Sequence, residues 1–124
     1  YWATGIGVDA FNQIYPLFSY EAANAYHVHN LFLQEFIELG FYGFAILLFL
    51  LLFFFQKLYS AMNKAPRRFH MLLAAFFGGF AGLLLQGMTD HIWFDYSIVL
   101  LFWCFIGIGM ASVRVGEKQW QKEK

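Results

Sequence analysis

The sequence predicts an all-α, polytopic helical membrane fold, and three observations predict it. Of the 124 residues, 60% are hydrophobic, 23% are aromatic (17 of them Phe) and only 13% are charged. A water-soluble domain of this length has too little interior for so much apolar surface, so lipid must solvate part of it. Three long apolar stretches carry no charge. All eight Lys and Arg residues lie in two of the four segments that these stretches separate.

The first stretch is 39–55, and its apolar pattern reaches back to Leu31, interrupted only by Gln34, Glu35 and Glu38. A helix from Leu31 to Phe55 would be about 37 Å long, enough to cross a hydrocarbon core of about 30 Å. The second stretch, 71–85, contains Gly78, Gly79 and Gly82, small residues that suit close helix packing. The third, 98–113, is preceded by Trp93, Phe94 and Tyr96, an interfacial aromatic belt. Backbone exposed to lipid has to pair within its own segment, which predicts helices, and the alternating pattern of a membrane barrel is missing.

Charge sets the direction. Lys57, Lys64, Arg67 and Arg68 lie in the 56–70 loop, and Arg114, Lys118, Lys122 and Lys124 follow the third stretch. Residues 1–38 and 86–97 hold no basic residue but contain Asp9, Glu21, Glu35, Glu38, Asp90 and Asp95. The positive-inside rule makes 1–38 an outer-face segment and 114–124 a cytoplasmic tail of a multi-pass protein of the inner (cytoplasmic) membrane. The Lys64–Arg68 run also meets anionic lipid. The chain starts at Tyr1 without a visible signal peptide, and reads as the C-terminal portion of a longer protein. A net charge of zero supplies no pull toward nucleic acid. Cys104 is the only cysteine, so no internal disulfide forms.

Chemistry concentrates before the first span. Thr4-Gly5-Ile6-Gly7 is a flexible turn. No strand precedes it and the further glycine of a dinucleotide fingerprint is missing, so nucleotide binding is rejected. Ile14–Phe18 reads as an interfacial stretch leading to a loop with Glu21 and Asn24. Asn30 is a good helix N-cap, which puts His29 just before the first helical turn. Gln34 and Glu38 share one helix face below it. Gly40 and Gly43, three apart, form a groove for a neighbouring helix. A histidine at a wet interface above carboxylates suits a general base, and an ordinary imidazole pKa of ~6.5 suits neutral pH.

Each of these residues also has a plainer reading. The plainer role of His29 is to cap the helix or bind water, and Glu38 either orients a base or hydrogen-bonds between helices. His27-x-His29 resembles a metal pair, yet neither a cysteine nor a ligand-spaced carboxylate nearby completes it, so no metal is expected. Asp90, His91 and Asp95 form either a solvated outer loop or an acceptor entrance.

The arrangement His29-Asn30, nine residues, Gly40, two residues, Gly43 resembles the signature of the O-antigen ligase and O-antigen polymerase family. Gly5-x-Gly7 with Phe11, Leu33-Gln34 and Glu38-Leu-Gly40 also fit that family's C-terminal core; the likeness is good over about residues 1–60 and loose beyond. It implies a multi-pass glycosyltransferase acting at the outer face without a metal or other cofactor. Such enzymes move a glycan from an undecaprenyl-diphosphate carrier to an acceptor hydroxyl or another chain. The resemblance gives His29 the role of taking the acceptor proton, with Asn30, Gln34 and Glu38 supporting it. Expected partners are the lipid-linked donor, a glycan or lipid acceptor, membrane lipid and upstream helices of the same protein. The chain departs from the pattern in lacking outer-face arginines, and a diphosphate leaving group needs cations or donors. Those arginines are expected upstream. The alternative is a transporter or a non-catalytic relative, which paired broken helices or buried charges would favour.

Overall fold

A computed structural model of the chain describes residues 1–19 and 26–122. Glu21, Asn24 and Lys124 lie outside the described residues. The elements are α1 (Phe11–Phe18), α2 (Leu31–Met62), α3 (Arg67–Gly87), a 3-10 turn (Ile92–Phe94) and α4 (Tyr96–Lys122). The fold is all-helical, with no strand among the described residues. Three helices, Leu31–Met62, Arg67–Gly87 and Tyr96–Lys118, are long and apolar enough to cross a membrane.

α3 and α4 outrun their apolar stretches at both ends, and α2, which starts at Leu31 where the apolar pattern begins, runs on past Phe55. Hydropathy marks where lipid would lie, whereas the hydrogen-bond ladder continues into polar flanks. The expected 56–70 loop shrinks to residues 63–66, so Lys57, Arg67 and Arg68 are helical. The expected 114–124 tail is helical as far as Lys122. Pro66 stands just ahead of α3, where its missing N–H leaves no gap in the ladder, and its carbonyl accepts the His70 N–H at 2.9 Å.

The chain forms two compact units. One contains Leu50–Leu84 and the chain from Tyr96 onward. Its core is a column of aromatics: Phe54 meets Phe80 with centroids 4.8 Å apart, and Phe80 meets Phe102 at 5.0 Å, both edge to face. Leu58 and Leu73 are fully buried beside it. Gly109 is the close-approach glycine here, since a Cβ there would stand 3.1 Å from the Phe54 ring. The α3 glycines behave otherwise: added Cβ atoms at Gly78, Gly79 and Gly82 would meet nothing within 4 Å. Gly79 lines an apolar groove of about 280 Å³ with Phe76, Phe80 and Leu83.

The other unit contains Tyr1–Phe49 and Leu85–Asp95. Its organising feature is a break in α2 at Gly40, whose backbone is φ 67°, ψ −175°. Only glycine holds such a conformation cheaply. The break frees backbone groups on both sides, and the N-terminal turn pairs them. Ile6 and Gly7 N–H donate to the Ile37 and Glu38 carbonyls, each at 3.1 Å, while Phe41 and Tyr42 N–H donate to the Trp2 and Ala3 carbonyls at 2.9 and 3.3 Å. The two backbones approach so closely that a Cβ on Gly5 would overlap the Glu38 carbonyl, and one on Gly40 would overlap Ala3–Gly5.

The neighbour at Gly40 is therefore the Thr4–Gly5 turn, where a helix was expected. A Cβ on Gly43 would lie 2.7 Å from Leu39 Cβ, one turn earlier in the same helix. Gly40 thus serves the break, and Gly43 leaves room for the Leu39 side chain beside it. The helix contact in this unit is made by Gly87, where an added Cβ would lie 2.9 Å from Leu31 Cδ2.

Candidate functional site

The site lies within the Tyr1–Phe49 and Leu85–Asp95 unit, where the segment before α2 meets the loop after α3. Asn30 fixes both. Its side-chain oxygen accepts the Leu33 N–H at 3.0 Å, capping α2, and its amide donates to the Met88 carbonyl at 2.9 Å. One side chain thus ends a helix and ties the distant loop to it.

That tie brings Asp90 to His29. The Asp90 carboxylate accepts the His91 backbone N–H at 2.8 Å and lies 3.1 Å from His29 Nδ1. An anionic carboxylate cannot donate, so Nδ1 carries the proton and donates it. In the neutral ring Nε2 then holds the lone pair, and the side chain is 78% exposed. This is the arrangement of a base oriented by a carboxylate. The bond from His29, then that from the His91 N–H, hold Asp90 below its ordinary carboxylate value.

A second network sets the height of the histidines. Glu38 is 7% and Gln34 2% exposed. Glu38 accepts the Asp9 N–H at 2.9 Å on one oxygen and the Gln34 amide at 2.6 Å on the other. The Gln34 side-chain oxygen in turn accepts the Val28 N–H at 2.8 Å. Val28 is the residue between the two histidines. A buried carboxylate with both oxygens paired is thus connected, through one amide, to the backbone that presents His27 and His29. Asp9 supplies its N–H from the left-handed region, φ 58°, which aspartate tolerates better than most residues.

His27 is half-buried in an aromatic pocket. Its ring lies 4.7 Å from Phe94, 5.0 Å from His29 and 5.7 Å from His91, centroid to centroid. Burial first, and then the neighbouring His27, push His91 below its ordinary value. The unprotonated His91 is therefore the form that packs. Its contribution to the loop is complete above the ordinary histidine value of ~6.5 and is lost as pH falls through and below it. Asp90, also depressed, has the same sign but acts only near and below ordinary carboxylate values. Amide exchange protection across residues 88–94, corrected for intrinsic rates, should be lower at about pH 5.5 than at about pH 7.5, and His91→Phe should remove most of the difference. Equal protection at the two pH values would refute this account.

The structure thus gathers His29, Asn30 and Asp90 in one place and pairs Gln34 with Glu38 beneath them. Asp90 and His91 turn inward to the histidines, while Asp95 stands exposed at the end of the 3-10 turn. The grouping of His27 with His91 and Phe94 carries no sequence signal, because it depends on a loop contact across the whole of two helices. The same holds for the Met88 carbonyl. No protein-family model, curated protein or solved structure matches this chain.

Proposed function

We propose that this chain carries the general-base centre of a membrane glycan transferase of the O-antigen ligase type. It moves a glycan from an undecaprenyl-diphosphate carrier to an acceptor hydroxyl at the outer face of the cytoplasmic membrane, in cell-surface polysaccharide synthesis. The observation that carries the reading is His29 with Nδ1 on the Asp90 carboxylate and Nε2 open. An acceptor hydroxyl delivered to Nε2 gives up its proton there as its oxygen attacks the anomeric carbon. The carbon–oxygen bond to the diphosphate breaks, and Asp90 stabilises the imidazolium that forms. The Asn30 clamp and the Glu38–Gln34–Val28 chain support the reading by holding His29 in place. Cations for the departing diphosphate come from other segments of the protein.

One observation favours a transporter: α2 is broken beside a buried carboxylate. In transporters the freed carbonyls of such a break face the ion. Here the Ile37 and Glu38 carbonyls are already occupied by the N–H groups of Ile6 and Gly7, which weighs toward the transferase.

The outer-face location is tested by cysteine labelling in intact cells on a Cys104→Ser background. Cysteines placed at Ser19 and Thr89 should react with an impermeant reagent, and one at Ser60 only after lysis. The opposite pattern would sink the reading. The activity is tested by incubating purified full-length protein with a polyprenyl-diphosphate glycan and an acceptor. Transfer is expected, and uptake of solute into sealed vesicles without transfer would favour the transporter.

A further inference from the structure

The two histidines before α2 and the aspartate after α3 form more than a base and its orienting partner. A ring nitrogen of His27, one of His29 and a carboxylate oxygen of Asp90 all lie within 4.8 Å of one another. His29 Nδ1 is 3.1 Å and His27 Nε2 is 3.9 Å from the same Asp90 oxygen. Ligand atoms around a tetrahedral ion with bonds of about 2.0–2.2 Å stand roughly 3.4 Å apart, so small side-chain rotations close this set. The segment before α2 supplies the two-histidine pair, and the loop supplies the carboxylate that the sequence neighbourhood lacks.

Two further features point the same way. Nδ1 of His91, whose ring lies 5.7 Å from that of His27, is buried without a hydrogen-bond partner, so a nitrogen donor beside the set is not used by the protein. Asp90 is anionic, exposed and shared between the two imidazoles, so it lowers the repulsion that a dication would meet.

We propose that His27, His29 and Asp90 form a binding site for a divalent transition metal of the zinc class, with water or His91 in the fourth position. Imidazole and carboxylate ligands of this kind suit zinc, cobalt and nickel, and three protein ligands with an open position are a common zinc arrangement. Binding and the general-base role of His29 exclude one another. The metal takes the Nδ1 lone pair, the proton that Nδ1 carried moves to Nε2, and no lone pair remains for an acceptor hydroxyl. The exchange releases no net proton. The site is therefore inhibitory toward transfer, a consequence that rests on the proposed function; the binding itself does not.

The test uses full-length protein purified without a histidine tag, stripped with chelator and titrated with Co²⁺ in detergent. One equivalent should bind with the visible bands of four-coordinate nitrogen–oxygen ligation, and Zn²⁺ should displace it. His27→Ala, from one segment, and Asp90→Asn, from the other, should each weaken binding by at least about tenfold, the lower end of what loss of a mere second-shell partner costs. His70→Ala should leave it unchanged, because that ring nitrogen lies on the Met62 carbonyl in the other unit. Helicity and elution volume establish that each variant is folded. No saturable Co²⁺ spectrum, or affinity unchanged in both variants, would overturn the site. Binding at the site in a protein that transfers no glycan even after stripping would leave the site standing and remove the general-base reading instead.

Discussion

Replacing His29 by alanine is expected to cut glycan transfer by about 10²–10⁴-fold, the range that a positioned general base contributes. An acceptor hydroxyl is a weak nucleophile, and without a base it must lose its proton to water. Folding should hardly change: His29 is exposed, and its polar partner is an exposed aspartate. Expression, membrane insertion and helicity should therefore match wild type. Asp90→Asn should also slow transfer, by less, through kcat with KM little changed. The asparagine amide can donate to Nδ1 and so favours the tautomer with the proton on Nε2, the wrong nitrogen for a base. Asp90→Glu keeps the anion at a longer reach and should recover part of the loss, which a purely structural role of Asp90 would not produce. These assays belong in chelator, so that bound metal cannot mimic the loss. Near-normal turnover by His29→Ala at equal protein level would remove the general-base assignment.

The second large effect is expected at Gly40. Alanine there must adopt φ 67°, ψ −175°, a conformation costing on the order of 1–3 kcal/mol for a residue with a Cβ. The added carbon also meets the backbone of Ala3–Gly5, which cannot rotate away as a side chain would. If the turn is displaced, the carbonyls of Ile37 and Glu38 and the N–H groups of Phe41 and Tyr42 lose their partners. Each such group costs about 1–3 kcal/mol when buried unpaired, and more where only lipid surrounds it. Gly40→Ala should therefore abolish most of the folded, monodisperse protein recovered in detergent. Gly5→Ala, on the opposite face of the same contact, should do the same. Gly78→Ala, with open space beside it, should be close to neutral. A wild-type melting temperature for Gly40→Ala would show that the break is not needed.

Much of the helical layout was legible because lipid-length apolar runs have few other uses. Most of the helix ends were not, since a helix does not stop where hydropathy does; the basic residues Lys57, Arg67 and Arg68 therefore lie on helices. Asn30 as a cap and the Gln34–Glu38 pair could be read because both are local, within one or two turns. The partner of His29 could not. Asp90 lies 61 residues away, and nothing in either segment names the other. Gly40 and Gly43 show a different limit. Two glycines three apart look alike whether they admit a neighbouring helix or permit a break, and the partner backbone at Ala3–Gly5 is what marks Gly40 as the break.

The break at Gly40 also divides α2 by length. The part before it, residues 31–39, rises only about 14 Å, too little to cross a bilayer, while residues 41–62 rise roughly 33 Å, matching a hydrocarbon thickness of about 30 Å. By length and composition, the part after Gly40 is sufficient to cross a bilayer without the part before it. Gln34 and Glu38 then belong to a short rim, and their burial is burial in protein rather than in acyl chains. Were the part after Gly40 set in a bilayer, a change of thickness would act on its tilt, and the rim that presents the histidines would still be held by the hydrogen bonds of the turn at Tyr1–Gly7.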